Sequence, residues 1–461
     1  MAYTTINNGK LYFNTKLYTG NGSDGNAQTG VGFQPNWVWI KERSTTNSYR
    51  LYNSISGVNA ALLSNDSVAA DQYAAYGQFE SFDSDGFTVG AGTSNAAGTN
   101  GNNETIVAWN WLAAGTAPSN TYVVKVVSDS GNKYRFDDFG TSAVTLEISE
   151  GGTFTFDQSD SSNNGHPLRF ATQADGANSS QYTTGVTTNG TPGQAGAYTR
   201  ITVAASAPTL FYYCTSHSGM GGQANTPTTN SFSNFSGAIQ SNISPNTTSG
   251  FSVVTFTANG SNNGTIGHGL GSTPAIVLYK RLDGTGSWYF VYTFVDGSQD
   301  YLIFDSAAAK ADLASSTYGT ATSSTISNIG FTNTHSMLAY CFAQKQGYSK
   351  FGSYVGNGNA DGTFVYTGFK PAWTLIKKTT GDHWTANDNK RNPSNLVNKN
   401  LLTNLAYAEA TSSASVLDYL SNGFKIRGSD GSHNASGVTY VYMAFAENPF
   451  TSSAGTPVTA R

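Results

Sequence analysis

The sequence predicts an all-β, multidomain protein of three related β-sandwich units and a fourth unit of another kind. Composition is the first reason. The 461 residues include 51 Gly, 26 Tyr and 26 Phe, but charged residues are only 11%, against about 25% in an ordinary globular domain. The polar surface therefore falls to Ser, Thr, Asn and Gln, a chemistry that favours strands joined by Gly/Asn turns. The second reason is a pattern that occurs three times. The third is that most apolar runs are strand-length and bounded by turn residues. A chain this long predicts three or four domains.

The first unit, residues 1–115, opens at Tyr18-Thr-Gly-Asn-Gly22. It runs through Gly32-Phe-Gln-Pro-Asn-Trp-Val-Trp-Ile-Lys41 and Ser84-Asp-Gly-Phe-Thr-Val89, and closes at Ile106-Val-Ala-Trp-Asn-Trp111. Pro35 precedes a strand, where its missing N–H costs nothing. Trp37, Trp39 and Lys41 then alternate with Val38 and Ile40, so both faces are apolar up to the Lys, as in a central strand. The Met1–Tyr12 segment carries few charges and reads as an attachment arm.

The second unit, 251–345, repeats the pattern at Phe256–Gly260, Gly271–Lys280, Asn328–Phe331 and Met337–Phe342. The third, 346–461, repeats it at Tyr354–Gly358, Gly368–Lys377, Ser421–Ile426 and Val441–Phe445. In every copy the Lys lies six residues beyond the Pro: Pro35 to Lys41, Pro274 to Lys280, Pro371 to Lys377. Two stretches, Ser306–Leu313 and Leu401–Ala410, read as short surface helices or irregular edges.

Residues 119–222 form the different unit, with strands expected at Tyr122–Val127, Thr145–Ile148, Thr153–Phe156, Thr199–Val203 and Leu210–Tyr213. A linker is expected over 223–250. After the last of those strands stands Cys214-Thr-Ser-His217-Ser-Gly-Met220, and His166 follows an earlier one. Type-1 copper takes two imidazoles, a thiolate and a weak axial thioether. His166, Cys214, His217 and Met220 supply that set, and copper is the cofactor it suggests. A buried Cys near His and Met also occurs as plain packing.

The order early His, then Cys-x-x-His-x-x-Met, together with the Tyr212-Tyr213-Cys214 entry, resembles the cupredoxins, with amicyanin-like spacing. The resemblance implies a Greek-key barrel for 119–222 and the four residues as copper ligands. Two features depart from it: Gly219 and Gly221-Gly222 around the Met, and a long insertion from Ala171 to Gly196. An electron-transfer copper protein is the functional reading that follows.

Other chemistry is sparse. Net charge is −4 with 24 Lys+Arg, which argues against a nucleic-acid groove. No run of about 20 apolar residues is present, and the N-terminus lacks the pattern of a signal peptide. Two cysteines in different segments make a disulfide framework unexpected. Cys341, in an apolar run, reads as core. Hydrolase, metalloprotease and P-loop motifs are absent. Asp85, Asp296, Asp361 and Asp430 each precede a Gly, and so read as turn residues rather than paired catalytic acids. No enzymatic activity is therefore expected. Trp288 and Trp384 lie outside the repeat strands and are the candidate glycan contacts.

The repeat motifs Gly32–Lys41, Ser81–Val89, Ile106–Trp111, Gly347–Gly358 and Phe364–Trp373 resemble those of virion structural proteins of marine tailed phages, cyanophages and pelagiphages among them. The units are similar to lectin-like or SPRY-like β-sandwiches. That resemblance implies a bacteriophage structural protein exposed on the virion surface as a fibre or capsid decoration subunit. It would be made in the host cytoplasm and would assemble with other virion proteins. The alternative is a tail protein for host attachment that binds a carbohydrate receptor.

Overall fold

The structure, a computed structural model, describes residues 4–73, 75–115, 117–330 and 334–451. It is all-β, with eight sheets and only short helical turns among the described residues. Met1–Tyr3 of the expected arm, Phe331 of the second repeat and residues 452–461 of the third lie outside the described residues.

Each repeat builds a main sheet with the same antiparallel core. In the first, the order is Phe13–Thr19, Thr105–Trp111, Trp37–Glu42, Arg50–Asn53. In the second it is Phe251–Thr257, Ser336–Phe342, Ile276–Arg281, Tyr289–Tyr292. In the third it is Ser349–Val355, Thr439–Pro449, Phe369–Lys378, Thr385–Asp388. Pro35 and Pro274 stand just ahead of their strands, while Pro371 falls inside one, at a register shift in the ladder. A bulge is where a strand tolerates the lost N–H.

The alternation in the strand after Pro35 explains how the repeats assemble. Val38 and Ile40 enter the core between the two sheets of the first repeat. Trp37 and Trp39 face the other way, into a core shared by all three repeats. There Trp37 stacks on Tyr340 at 4.4 Å, Trp111 meets Trp373 at 5.7 Å and Trp39 meets Phe304 at 5.6 Å. All seven tryptophans are buried in this shared core.

Loops complete the assembly in a cycle. Gly286 and Ala70 exchange backbone hydrogen bonds with Ser67 and Leu282, joining repeat one to repeat two. Asp382 and Lys310 do the same with Ala307 and Thr379, joining two to three. Glu409 donates its N–H to the Arg43 carbonyl at 2.7 Å, joining three back to one. The repeated Lys is buried in every copy, and in repeats two and three it bridges a seam. The Lys280 ammonium donates to Ser67, Arg281 and Gly286 carbonyls, Lys377 to those of Ser306 and Asp382, and Lys41 to those of Thr45 and Asn47. Full desolvation of a cation is tolerated only with such hydrogen bonds.

Three expectations need correction. The unit over 119–222 is not a Greek-key barrel. It forms two five-stranded sheets, neither of which closes. One is bounded by Leu146–Glu147 and Gln181–Tyr182, each only two residues long. Such short edges cannot carry the continuous hydrogen bonding that a closed barrel requires.

The 223–250 segment is not a free linker. Gly222–Asn225 belongs to the inserted unit, while Phe232–Asn234 and Ser241–Asn246 extend the main sheet of repeat two. The N-terminal segment is not a free arm from Thr4 onward. Ile6 is in the shared core, and the Thr4 hydroxyl donates to the Gln346 carbonyl at 2.7 Å. Of the two readings of Ser306–Leu313 and Leu401–Ala410, the irregular edge is the one found: both form edge strands and turns.

Candidate metal centre

The inserted unit brings His166, Cys214 and His217 together through strand pairing. Leu168–Ala171 lies antiparallel to Leu210–Cys214, with Leu168 opposite Cys214. This places His166, two residues before the first strand, beside the thiol that ends the second. The Thr215 N–H donates to the Pro167 carbonyl at 3.2 Å and ties the two strand ends together.

Cys214 Sγ lies 3.8 Å from His166 Nδ1 and 3.7 Å from His217 Nδ1. The three ligand atoms all fall within 4.8 Å of one another. A metal about 2.3 Å from sulfur and about 2.0 Å from nitrogen, with a trigonal angle, sets sulfur and nitrogen about 3.7 Å apart. The thiol is therefore already at the spacing from each imidazole that a metal ion demands. Cys214 is buried, His166 half-buried and His217 exposed. Met220, the fourth residue of the expected set, is buried on the same loop, and its carbonyl accepts the Tyr134 N–H at 2.9 Å.

The surroundings suit a neutral ligand. Burial, then the neighbouring His217, hold the His166 imidazole below its ordinary pKa, so it is unprotonated and able to bind a metal near pH 7. The His166 carbonyl accepts from the Tyr134 hydroxyl and the Gln158 amide, both at 2.9 Å. Gln158 also accepts the Leu168 N–H at 3.2 Å. Burial first, then Cys214, raises the Tyr134 phenol well above its ordinary value and keeps it a donor. Tyr134 and Gln158 carry no motif, and only the fold reveals them as supports.

Other candidate residues are not gathered into a site. Trp288 and Trp384 are 0% and 1% exposed. Both sit in the shared core, which removes them as glycan contacts. Their positions between strands suggested surface, but each fills a seam between repeats. Asp85 accepts the Gly30 and Gly32 N–H groups at 2.9 and 2.7 Å, and Asp430 caps a short turn through the Ser432 N–H at 2.8 Å. Cys341 is buried in an apolar strand, and burial pushes its thiol far up.

Fold and site together define an all-β protein with a three-repeat body and an inserted unit that bears a buried-thiol, two-imidazole cluster able to hold a metal ion. The chain belongs to the family described as Domain of unknown function (DUF7483), whose model matches residues 8–136 and 223–449. No curated protein matches the chain, and no solved structure matches it. The matched span takes in all three repeats and omits 137–222, the part that carries the cluster. Among the described residues no helix is long and apolar enough to cross a membrane.

Proposed function

We propose that this chain is a structural protein of a virus particle, exposed as a fibre or capsid decoration subunit. The supporting observation is the cyclic interlock of its three repeats. Each seam is fastened by backbone hydrogen bonds, and every tryptophan is spent on the common core. A body built this way is a rigid mount. The low-charge polar surface and the phage-like repeat motifs supply the particle context. The test is to purify particles and locate the chain by peptide mass spectrometry and labelled imaging. A position over the capsid lattice or along a fibre is expected, and absence from the particles removes the reading. Receptor binding keeps a place as the alternative, but without Trp288 and Trp384 as its contacts.

The inserted unit supports a second reading, carried by the convergence of His166, Cys214 and His217. A thiolate with two imidazoles and a thioether nearby is the donor set that suits copper, with Met220 as the axial group. Exposed His217 would then be the edge for electron exchange. Copper(II) added to the metal-free, reduced chain should give a thiolate charge-transfer band near ~600 nm, absent in C214S. A colourless chain that takes up zinc(II) instead would leave a metal site without the copper assignment.

A further inference from the structure

The loop from Cys214 to Met220 should be pliable. Gly219 adopts a positive φ of 69°, and two further glycines follow Met220. It is nonetheless gripped from two sides at one residue. Both carboxylate oxygens of Asp175 accept the Gly219 N–H at 2.9 Å. The Lys133 ammonium donates to the Gly219 carbonyl. The next carbonyl, that of Met220, is held by the Tyr134 N–H. The carboxylate meets the Ser218–Gly219 amide and the ammonium meets the Gly219–Met220 amide, so both peptide units that flank the Gly219 Cα are held, and charged hydrogen bonds are the stronger kind.

The two clamping residues come from elements far apart in sequence. Lys133 lies in the strand Asn132–Phe136, and Asp175 in the short 3-10 turn Ala174–Ser179. That turn belongs to the long insertion after the His166 strand. Gly176 fits it against the ligand strand: a Cβ there would lie 2.6 Å from the ring of Tyr213, the residue before Cys214. Asp175 itself takes a positive φ of 53°, an uncommon conformation for a non-glycine residue. The insertion thus reaches back over the ligand loop and delivers a carboxylate to it.

We propose that Asp175 and Lys133 are positioning residues of the metal centre, holding the two peptide units that flank Gly219 so that the His217–Met220 half of the loop is set before a metal arrives. This rests on the metal reading of the inserted unit. Asp175 and Gly219 are exposed, and exposed charged contacts contribute little to overall stability. The clamp therefore acts on loop geometry and not on the fold, which separates its signature from a structural role. Supporting groups of this kind typically alter metal affinity by about 10- to 100-fold.

The full chain, reduced and metal-free, is titrated with cobalt(II) as a spectroscopic probe, and its affinity is fixed by competition with a chromogenic chelator. D175N and K133Q are expected to weaken binding by about tenfold or more. Their metal-free thermal midpoints should match the parent, and D175E should recover part of the affinity. C214S supplies the reference for a destroyed site. Parent-like affinity in both D175N and K133Q overturns the clamp, as does a D175E variant no better than D175N. Failure of the parent chain to bind cobalt overturns the metal centre itself, and the clamp with it.

Discussion

Trp384 donates its indole N–H to the Ile303 carbonyl at 3.1 Å, and Trp288 donates its own to Leu63 at 2.8 Å. Each tryptophan is thus anchored on the preceding repeat. Trp384 also packs on Phe304 and Phe290, each at 4.9 Å. Replacement by Ala removes ring and hydrogen bond together, and should cost about 3–5 kcal/mol. W384F keeps most of the packing and should cost about 1 kcal/mol, the net value of the hydrogen bond. Denaturant midpoints of the two variants check this. A W384A midpoint equal to the parent's would mean that the repeats do not depend on this seam.

The seam between repeats three and one is ionic. Glu409 accepts from Arg43 at 2.7 and 2.9 Å and from Arg391 at 3.1 Å. Arg391 is fully buried and also pairs with Asp388, which accepts the Trp109 indole N–H at 3.0 Å. Removing one partner of a buried pair strands the other, at about 3–5 kcal/mol. E409Q should destabilise by about that much. Combined with R43Q, the loss should be smaller than the sum of the two single losses, because both act on one contact. Additive losses in a double-mutant cycle would show that the two side chains are uncoupled.

Part of this was legible in the sequence and part was not. The Pro-to-Lys spacing marks the three copies, and the three share a strand order because alternation and turn chemistry are local properties. What alternation does not say is which core each face enters. Trp37 and Val38 are both simply apolar in sequence, yet one serves the assembly and the other its own repeat. Trp288 and Trp384 misled for the same reason, since burial at a seam depends on a distant neighbour, 225 residues away for Trp288 and 81 for Trp384. The cluster of His166, Cys214 and His217 was readable from donor chemistry and order. The clamp from Asp175 was not, because its partner is a backbone amide, which leaves no mark in the side-chain pattern. The barrel failed because ligand order constrains one loop and one strand pair, not the closure of a sheet.

Burial holds the His433 imidazole at about 4, well below its ordinary value. The side chain is buried and its Nε2 has no hydrogen-bond partner. The unfolded chain protonates this group near pH 6.5 and the folded chain only near 4, so between those values the unfolded state binds more protons. Stability therefore falls as pH drops through that window, by up to about 1.4 kcal/mol per pH unit from this residue. H433Q should flatten the acid limb of a stability-against-pH curve by that amount. An unchanged slope would show that the imidazole is already protonated in the folded chain.

The three repeat lysines give the opposite limb. Burial lowers Lys41, Lys280 and Lys377 to about 8 each, while the unfolded chain keeps them protonated to about 10.4. Below pH 8 both states are charged, and the folded state bears the cost of burying the cation. Between about 8 and 10.4 the unfolded state holds more protons, so stability rises with pH, by up to about 1.4 kcal/mol per pH unit for each lysine. Buried tyrosines oppose this only as pH nears 10, where the unfolded phenols ionise. The measurement is the slope of unfolding free energy between pH 8 and 9.5. K280M should lower that slope by up to one proton's worth, even though its absolute stability also changes through the lost ammonium hydrogen bonds to the Ser67, Arg281 and Gly286 carbonyls. The same slope in parent and K280M would mean that Lys280 stays charged throughout, with its three carbonyl contacts fully offsetting desolvation.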